Sequence, residues 1–295
     1  MTTVPPHILK QVKAIELRTR GLVAALFAGE YRSVFKGQGM EFAEVRPYEQ
    51  GDDARSIDWN VSARFATPYV KTFTEERELT LLLLVDRSGS TRCGDPRAKV
   101  DVAVEVAAVL ALAAARQHDR VGAVAFTDRI EQVIPPAKGR RHVLRIVRDL
   151  LAFQPTHRRT DLAGTLAYAL RLLHHRSIVV VLSDFLAPGW VRPLRQLAAR
   201  HEVVAVSIDD PREERLPAAG WIDAADAETD QHVLVDAGDR ATRAQVAALT
   251  ERRLAERAKI FATAGVEHLP LSTVGDYTIP LRRAFTRRHR GRNGR

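Results

Sequence analysis

Leu79-Thr80-Leu81-Leu82-Leu83-Leu84-Val85-Asp86-Arg87-Ser88-Gly89-Ser90 decides how this chain folds. The continuous apolar run from Leu79 to Val85, ended by a polar turn, is the pattern of a strand buried on both faces. Strands and helices alternate after it. Asp95-Pro96 opens a helix to about Gln117 that is apolar almost all round and therefore deeply buried. Val121–Phe126 and Ile130–Ile134 read as strands, then helices follow at about Arg141–Ala152 and Leu162–His174. Ile178–Leu182 is a further buried strand, Val191–Arg200 a helix and Val203–Ile208 a strand. His232–Val235 is a short strand, Ala241–Ala264 a long helix and Glu267–Leu271 a last strand. Such alternation predicts an α/β fold with a doubly wound, mostly parallel, Rossmann-like sheet, and the pair at 121–134 adds an antiparallel edge.

The chain before that strand is of another kind. Residues 1–78 form an N-terminal extension of short helices and turns, 79–275 the α/β domain, and 276–295 a basic tail. His7–Ala28 has Ile8, Val12, Ile15, Leu22 and Leu26 at helical spacing, and Val70–Phe73 reads as a strand. Between them lies a charge-dense stretch, with Arg46, Asp52, Asp53, Arg55, Asp58 and Arg64 beside the aromatics Tyr48 and Trp59. The stretch suits a buried ion network tying the extension to the sheet. It also suits a partner-docking surface anchored by Tyr48 and Trp59.

Ligands of doubly wound sheets gather where strand carboxyl ends meet loops. The strand at 79–85 ends at Asp86, Ser88 and Ser90, the strand at 178–182 ends at Ser183-Asp184, and the loop 154–159 delivers Thr160. Five oxygen-bearing side chains (Asp86, Ser88, Ser90, Thr160 and Asp184) are thus expected at one edge. A set of hard oxygens suits Mg²⁺ or Mn²⁺ rather than zinc or copper. The alternation Asp-x-Ser-x-Ser lets one tight turn aim both hydroxyls at a single point. Asp161 reads as a helix cap and stands outside the set.

Asp86-x-Ser88-x-Ser90 with Thr160 and Asp184 resembles the metal-ion-dependent adhesion site of von Willebrand factor A domains. Further upstream, Gly37-x-Gly39-x-Glu41-Phe42-x-Glu44-x-Arg46-x-Tyr48, Gly51-Asp52-Asp53-x-Arg55-x-Ile57-Asp58-Trp59 and Ser62-Ala63-Arg64 are similar to the signature of the family of domain of unknown function 58. The two resemblances cover roughly residues 30–210. They imply a Mg²⁺-dependent protein-interaction module that works with a MoxR-type AAA+ ATPase in chaperone-like maturation of other proteins. In that reading Ser88, Ser90 and Thr160 are direct ligands, Asp86 and Asp184 supply charge and hold waters, and a partner's acidic side chain fills the open position.

Composition bounds the alternatives. With 45% hydrophobic and 27% charged residues the chain can bury a globular core. A single cysteine, Cys93, excludes an intrachain disulfide and suits a reducing compartment. Neither a signal peptide nor a membrane span is evident, so a cytoplasmic protein is expected. Of the formal net charge of +9, seven charges come from arginines at 282–295, which leaves the body nearly balanced. That tail admits RNA or DNA binding through phosphate charge, or a solvated terminus. Enzyme motifs are weak. Ser88 replaces the second Asp of a haloacid dehalogenase-type Asp-x-Asp, and the chain has no Gly-x-Ser-x-Gly and no Gly-x-x-x-x-Gly-Lys-Ser/Thr. A binding module rather than an enzyme is expected, with a metal-dependent phosphoester hydrolase as the alternative at the same carboxylates.

Overall fold

A computed structural model describes residues 8, 10–17, 41–49, 52–65, 67–74 and 79–284. The glycines at 37, 39 and 51, most of the helix expected over 7–28 and the arginines beyond 283 lie outside the described residues.

The chain divides into two compact units, and residues 36–79 form the smaller. In it, β1 (Glu41–Pro47) pairs antiparallel with β2 (Tyr69–Thr74), placing Arg46 opposite Val70. A short 3-10 turn at Ala54–Ser56 and helix α1 (Trp59–Phe65) connect them. Asp58 starts α1 by accepting the Asn60 and Val61 N–H groups at 3.0 and 3.3 Å, the usual work of an N-terminal cap. Buried Ser62 donates to the Asp58 carbonyl and accepts the Tyr69 N–H, which ties α1 to β2. Of the ion network expected here, one pair is seen among the described residues. Arg46 and Asp52 make a two-pronged pair at 2.8 and 2.6 Å near the surface, and Asp53 accepts the Arg55 N–H at 2.9 Å. Asp52, Asp53 and Asp58 also accept backbone N–H groups, because the stretch doubles back within a few residues and leaves many of them to satisfy. Trp59 is 70% exposed.

The larger unit holds the sheet. Its strands are β3 (Thr80–Asp86), β4 (Arg120–Phe126), β5 (Ile130–Ala137), β6 (Ile178–Ser183), β7 (Glu202–Asp209) and β10 (Glu267–Ser272), in the spatial order β10-β7-β6-β3-β4-β5. Every pairing is parallel except that of β5 with β4, the expected edge. Leu81 to Val85 are all at most 2% exposed, as a strand covered on both faces requires. On one side lie α2 (Lys99–Arg116) and α3 (Arg140–Ala152), with α2 against β3. On the other, Leu82, Leu84, Val179 and Val181 pack against Leu162 and Leu166 of α4 (Leu162–Leu172), Leu194 of α5 (Val191–Arg200) and Phe261 of α7 (Arg240–Thr263). Asp161 caps α4 through the Gly164 N–H at 2.8 Å.

Three differences from the expected elements bear on the site. Helix α2 starts at Lys99, not at Asp95, because Asp101 takes the Ala98 N–H while Asp95 pairs with Arg212. A short helix, α6 (Pro211–Glu214), follows β7. A hairpin of β8 (Trp221–Ala225) and β9 (His232–Asp236) stands where a lone strand was expected. Residues 10–17 pack with the larger unit, where Glu16 pairs with Arg140.

Candidate metal centre

In this order the chain leaves β3 in one direction, toward β4 and β5, then crosses back to β6 on the other side. The crevice between the carboxyl ends of β3 and β6 is therefore the switch point, where such sheets bind ligands. Asp86 ends β3 and is fully buried. One of its oxygens accepts the Ser88 N–H at 2.9 Å and the other the Ser183 hydroxyl at 2.6 Å. Burial and the neighbouring charge of Asp184 push its carboxyl up to about 7.

The turn beyond it is a 3-10 turn at Gly89–Arg92, braced by the Thr91 hydroxyl on the Ser88 carbonyl at 2.8 Å. It leaves the Ser88 and Ser90 hydroxyls hydrogen-bonded to each other, their oxygens 3.1 Å apart. Adjacent oxygens around an octahedral ion with bonds of roughly 2.0–2.1 Å stand about 2.9 Å apart, so the pair has the spacing of one edge of such a shell. The loop carrying Thr160 is stitched to this turn. The Gly89 N–H donates to the Arg158 carbonyl at 2.6 Å, and the Asp161 N–H to the Thr127 carbonyl just past β4 at 2.8 Å. Thr160 donates its hydroxyl to Glu228 at 2.6 Å.

Asp184, 2% exposed, accepts the Leu186 N–H on one oxygen at 3.2 Å and the Lys99 ammonium on the other at 3.0 Å. Lys99 is equally buried and lies 2.6 Å from Glu213 of α6. Burial disfavours its charge, but Asp184 and Glu213 outweigh burial and raise its pKa. Arg257 of α7 donates to the Asp184 carbonyl at 2.8 Å and clamps Asp209 with both amino groups, fixing the loop after β6. Lys99 is thus a built-in cation for Asp184, so a metal would meet Asp184 through the oxygen facing Leu186 or through water.

Asp86, Ser88 and Ser90 stand in one turn, Thr160 lies on the loop bonded to that turn through Gly89 and Arg158, and Asp184 lies on the loop after β6. Among the described residues no group of three or more His, Cys, Asp or Glu side chains is arranged to hold an ion. Any cation here depends on the hydroxyls. The donor chemistry fits one: the set is all hard oxygen, and Asp86 has no ion-pair partner among the described residues. Ser183, Lys99, Glu213, Arg257 and Glu228 were not foreseen. The pattern around them gave no signal, since Lys99 stands among Arg97, Asp101 and Glu105 in sequence.

A family model described as "Protein of unknown function DUF58" matches residues 44–256. The chain belongs to the DUF58 family. Its doubly wound, mostly parallel sheet is the α/β architecture expected from the alternation of strands and helices. Among similar proteins, the uncharacterized protein Rv1480 of Mycobacterium tuberculosis is 32% identical over 293 residues, 97% of this chain and 91% of that protein. The uncharacterized protein MAV169 of Mycobacterium avium is 34% identical over 163 residues, 54% of this chain and 95% of that one. Among solved structures, BatB from Bacteroides thetaiotaomicron aligns with a TM-score of 0.46 at 11% identity, over 72% of this chain and 99% of that chain. The VWA domain of SpRpn10 aligns with a TM-score of 0.38 at 11% identity, over 70% and 94% respectively. No helix among the described residues is long and apolar enough to cross a membrane.

Proposed function

We propose that this DUF58 chain is a cytoplasmic, non-enzymatic protein-interaction module that uses a divalent cation, Mg²⁺ first and Mn²⁺ second, to capture an acidic side chain on a partner. The observation that carries the proposal is the Ser88–Ser90 hydroxyl pair at 3.1 Å beside a fully buried Asp86. Ser88, Ser90 and Thr160 offer the cation neutral oxygens, and Asp86 supplies charge from behind. A shell built largely of neutral hydroxyls leaves the bound ion electrophilic, so a carboxylate from outside binds it well. The family resemblance supports a MoxR-type AAA+ ATPase or its client as that partner, in chaperone-like maturation of other proteins.

Pull-down of an AAA+ ATPase from the native host, with and without chelator, tests this reading. Capture is expected with Mg²⁺, and is lost with chelator or in Asp86→Ala. Capture that ignores both treatments rules the cation out as the link.

A further inference from the structure

The tip of the β8–β9 hairpin lies on the candidate site. Asp226 organises that tip by accepting the Glu228 and Thr229 N–H groups at 2.8 and 3.3 Å, and the Asp230 N–H closes on the Asp226 carbonyl at 2.8 Å. A turn tied in this way has little freedom in where it aims residue 228. Glu228 is half-buried, and its Oε1 stands 2.6 Å from Thr160 Oγ1. The neighbouring Ala227 carbonyl presses on the serine turn. A Cβ added at Gly89 would sit 2.2 Å from that oxygen, a distance no side chain tolerates. Gly89 does not have a positive φ, so its lack of a side chain serves this close approach rather than the turn. The hairpin tip therefore touches two sides of the site, through Thr160 and through the middle of Asp86-x-Ser88-x-Ser90.

Charge points the same way. Among the described residues Glu228 forms no ion pair, and neither does Asp86, whereas Asp184 has Lys99. A cation at this crevice would give both an ion-pair partner.

We propose that Glu228 is an internal ligand of the cation site, resting on the reading of that site given above. Its carboxylate takes the position that a partner's acidic side chain would take, so the hairpin holds the site closed until a partner displaces it. Thr160 and Glu228 then contribute adjacent oxygens to one ion, and the threonine hydroxyl hydrogen turns away from the shared edge. A carboxylate tethered at an effective concentration of about millimolar lowers the apparent affinity for an external one, and its displacement frees the tip at 226–231.

The test uses the full chain, with Mg²⁺ titrated calorimetrically and amide exchange followed at 227–231. Wild type is expected to bind Mg²⁺ and to slow exchange across 227–231 when it does, and Asp86→Ala to bind none. Glu228→Ala should bind Mg²⁺ at least about tenfold more weakly and lose the Mg²⁺-dependent protection, with added acetate restoring affinity as a free carboxylate in place of the missing one. Glu228→Gln keeps the shape of the tip and should show the same loss, which separates ligation from folding. If Glu228→Ala binds as tightly as wild type and Mg²⁺ leaves exchange at 227–231 unchanged, while Asp86→Ala still abolishes binding, the internal ligand is wrong and the cation site stands. If wild type binds no Mg²⁺, both fall together.

Discussion

Lys99 illustrates how a single side chain sets the character of the site. Its ammonium is buried between Asp184 at 3.0 Å and Glu213 at 2.6 Å, so the carboxylate at the end of β6 is already neutralised by the protein. Breaking a buried pair leaves an uncompensated charge, which costs more than the pair itself contributes. Lys99→Met is therefore expected to destabilise the protein by about 3 kcal/mol in divalent-free buffer, read from urea unfolding. Mg²⁺ should recover part of that loss by supplying charge near Asp184. The sequence made Asp86, Ser88 and Ser90 legible because one buried strand and one turn bring them together within five positions. It was silent on Lys99 with Asp184 and on Thr160 with Glu228, contacts across 85 and 68 residues of chain. Such pairs are fixed by strand order, not by local pattern.

At the scale of elements, α7 anchors the far side of the sheet. Phe261 is fully buried, its ring 5.0 Å from Phe185 and 5.3 Å from Trp190, just beyond the loop that carries Asp184. Phe261→Ala should cost about 3–5 kcal/mol, the range for a buried aromatic truncated to a cavity, measured as a drop in the denaturation midpoint. Apolar runs foretold β3 and β6, which are buried almost throughout, and α4 turns Leu162, Leu166 and Ala169 to the core, whereas α7 buries only Thr250, Arg257 and Phe261. The β8–β9 hairpin was half missed for the converse reason. Trp221, Val233 and Leu234 are about two-thirds exposed, so the alternation that marks a half-buried strand is absent. In the 46–64 stretch composition gave the charges, but not that Asp52, Asp53 and Asp58 also accept backbone N–H groups.

For the molecule as a whole, the polar cluster under β7 and β10 makes stability depend on pH. His268 bonds the Ser207 hydroxyl at 2.8 Å, and burial, with the nearby Arg257 charge, lowers its pKa to about 4 from the ordinary 6.5. Between those values the unfolded chain binds the proton and the folded chain does not, so this group's contribution is full above about 6.5 and declines as pH falls toward 4. The melting temperature of wild type should accordingly drop across that window more steeply than that of His268→Gln, and parallel curves would remove His268 as a cause. The account's central claim is that the crevice at the ends of β3 and β6 holds a hard cation on hydroxyl oxygens. The most direct measurement is anomalous scattering from crystals grown with Mn²⁺. The account predicts a single strong peak within bonding distance of both Ser88 Oγ and Ser90 Oγ, vanishing in Asp86→Ala. Well-ordered crystals with no manganese at that turn would contradict it.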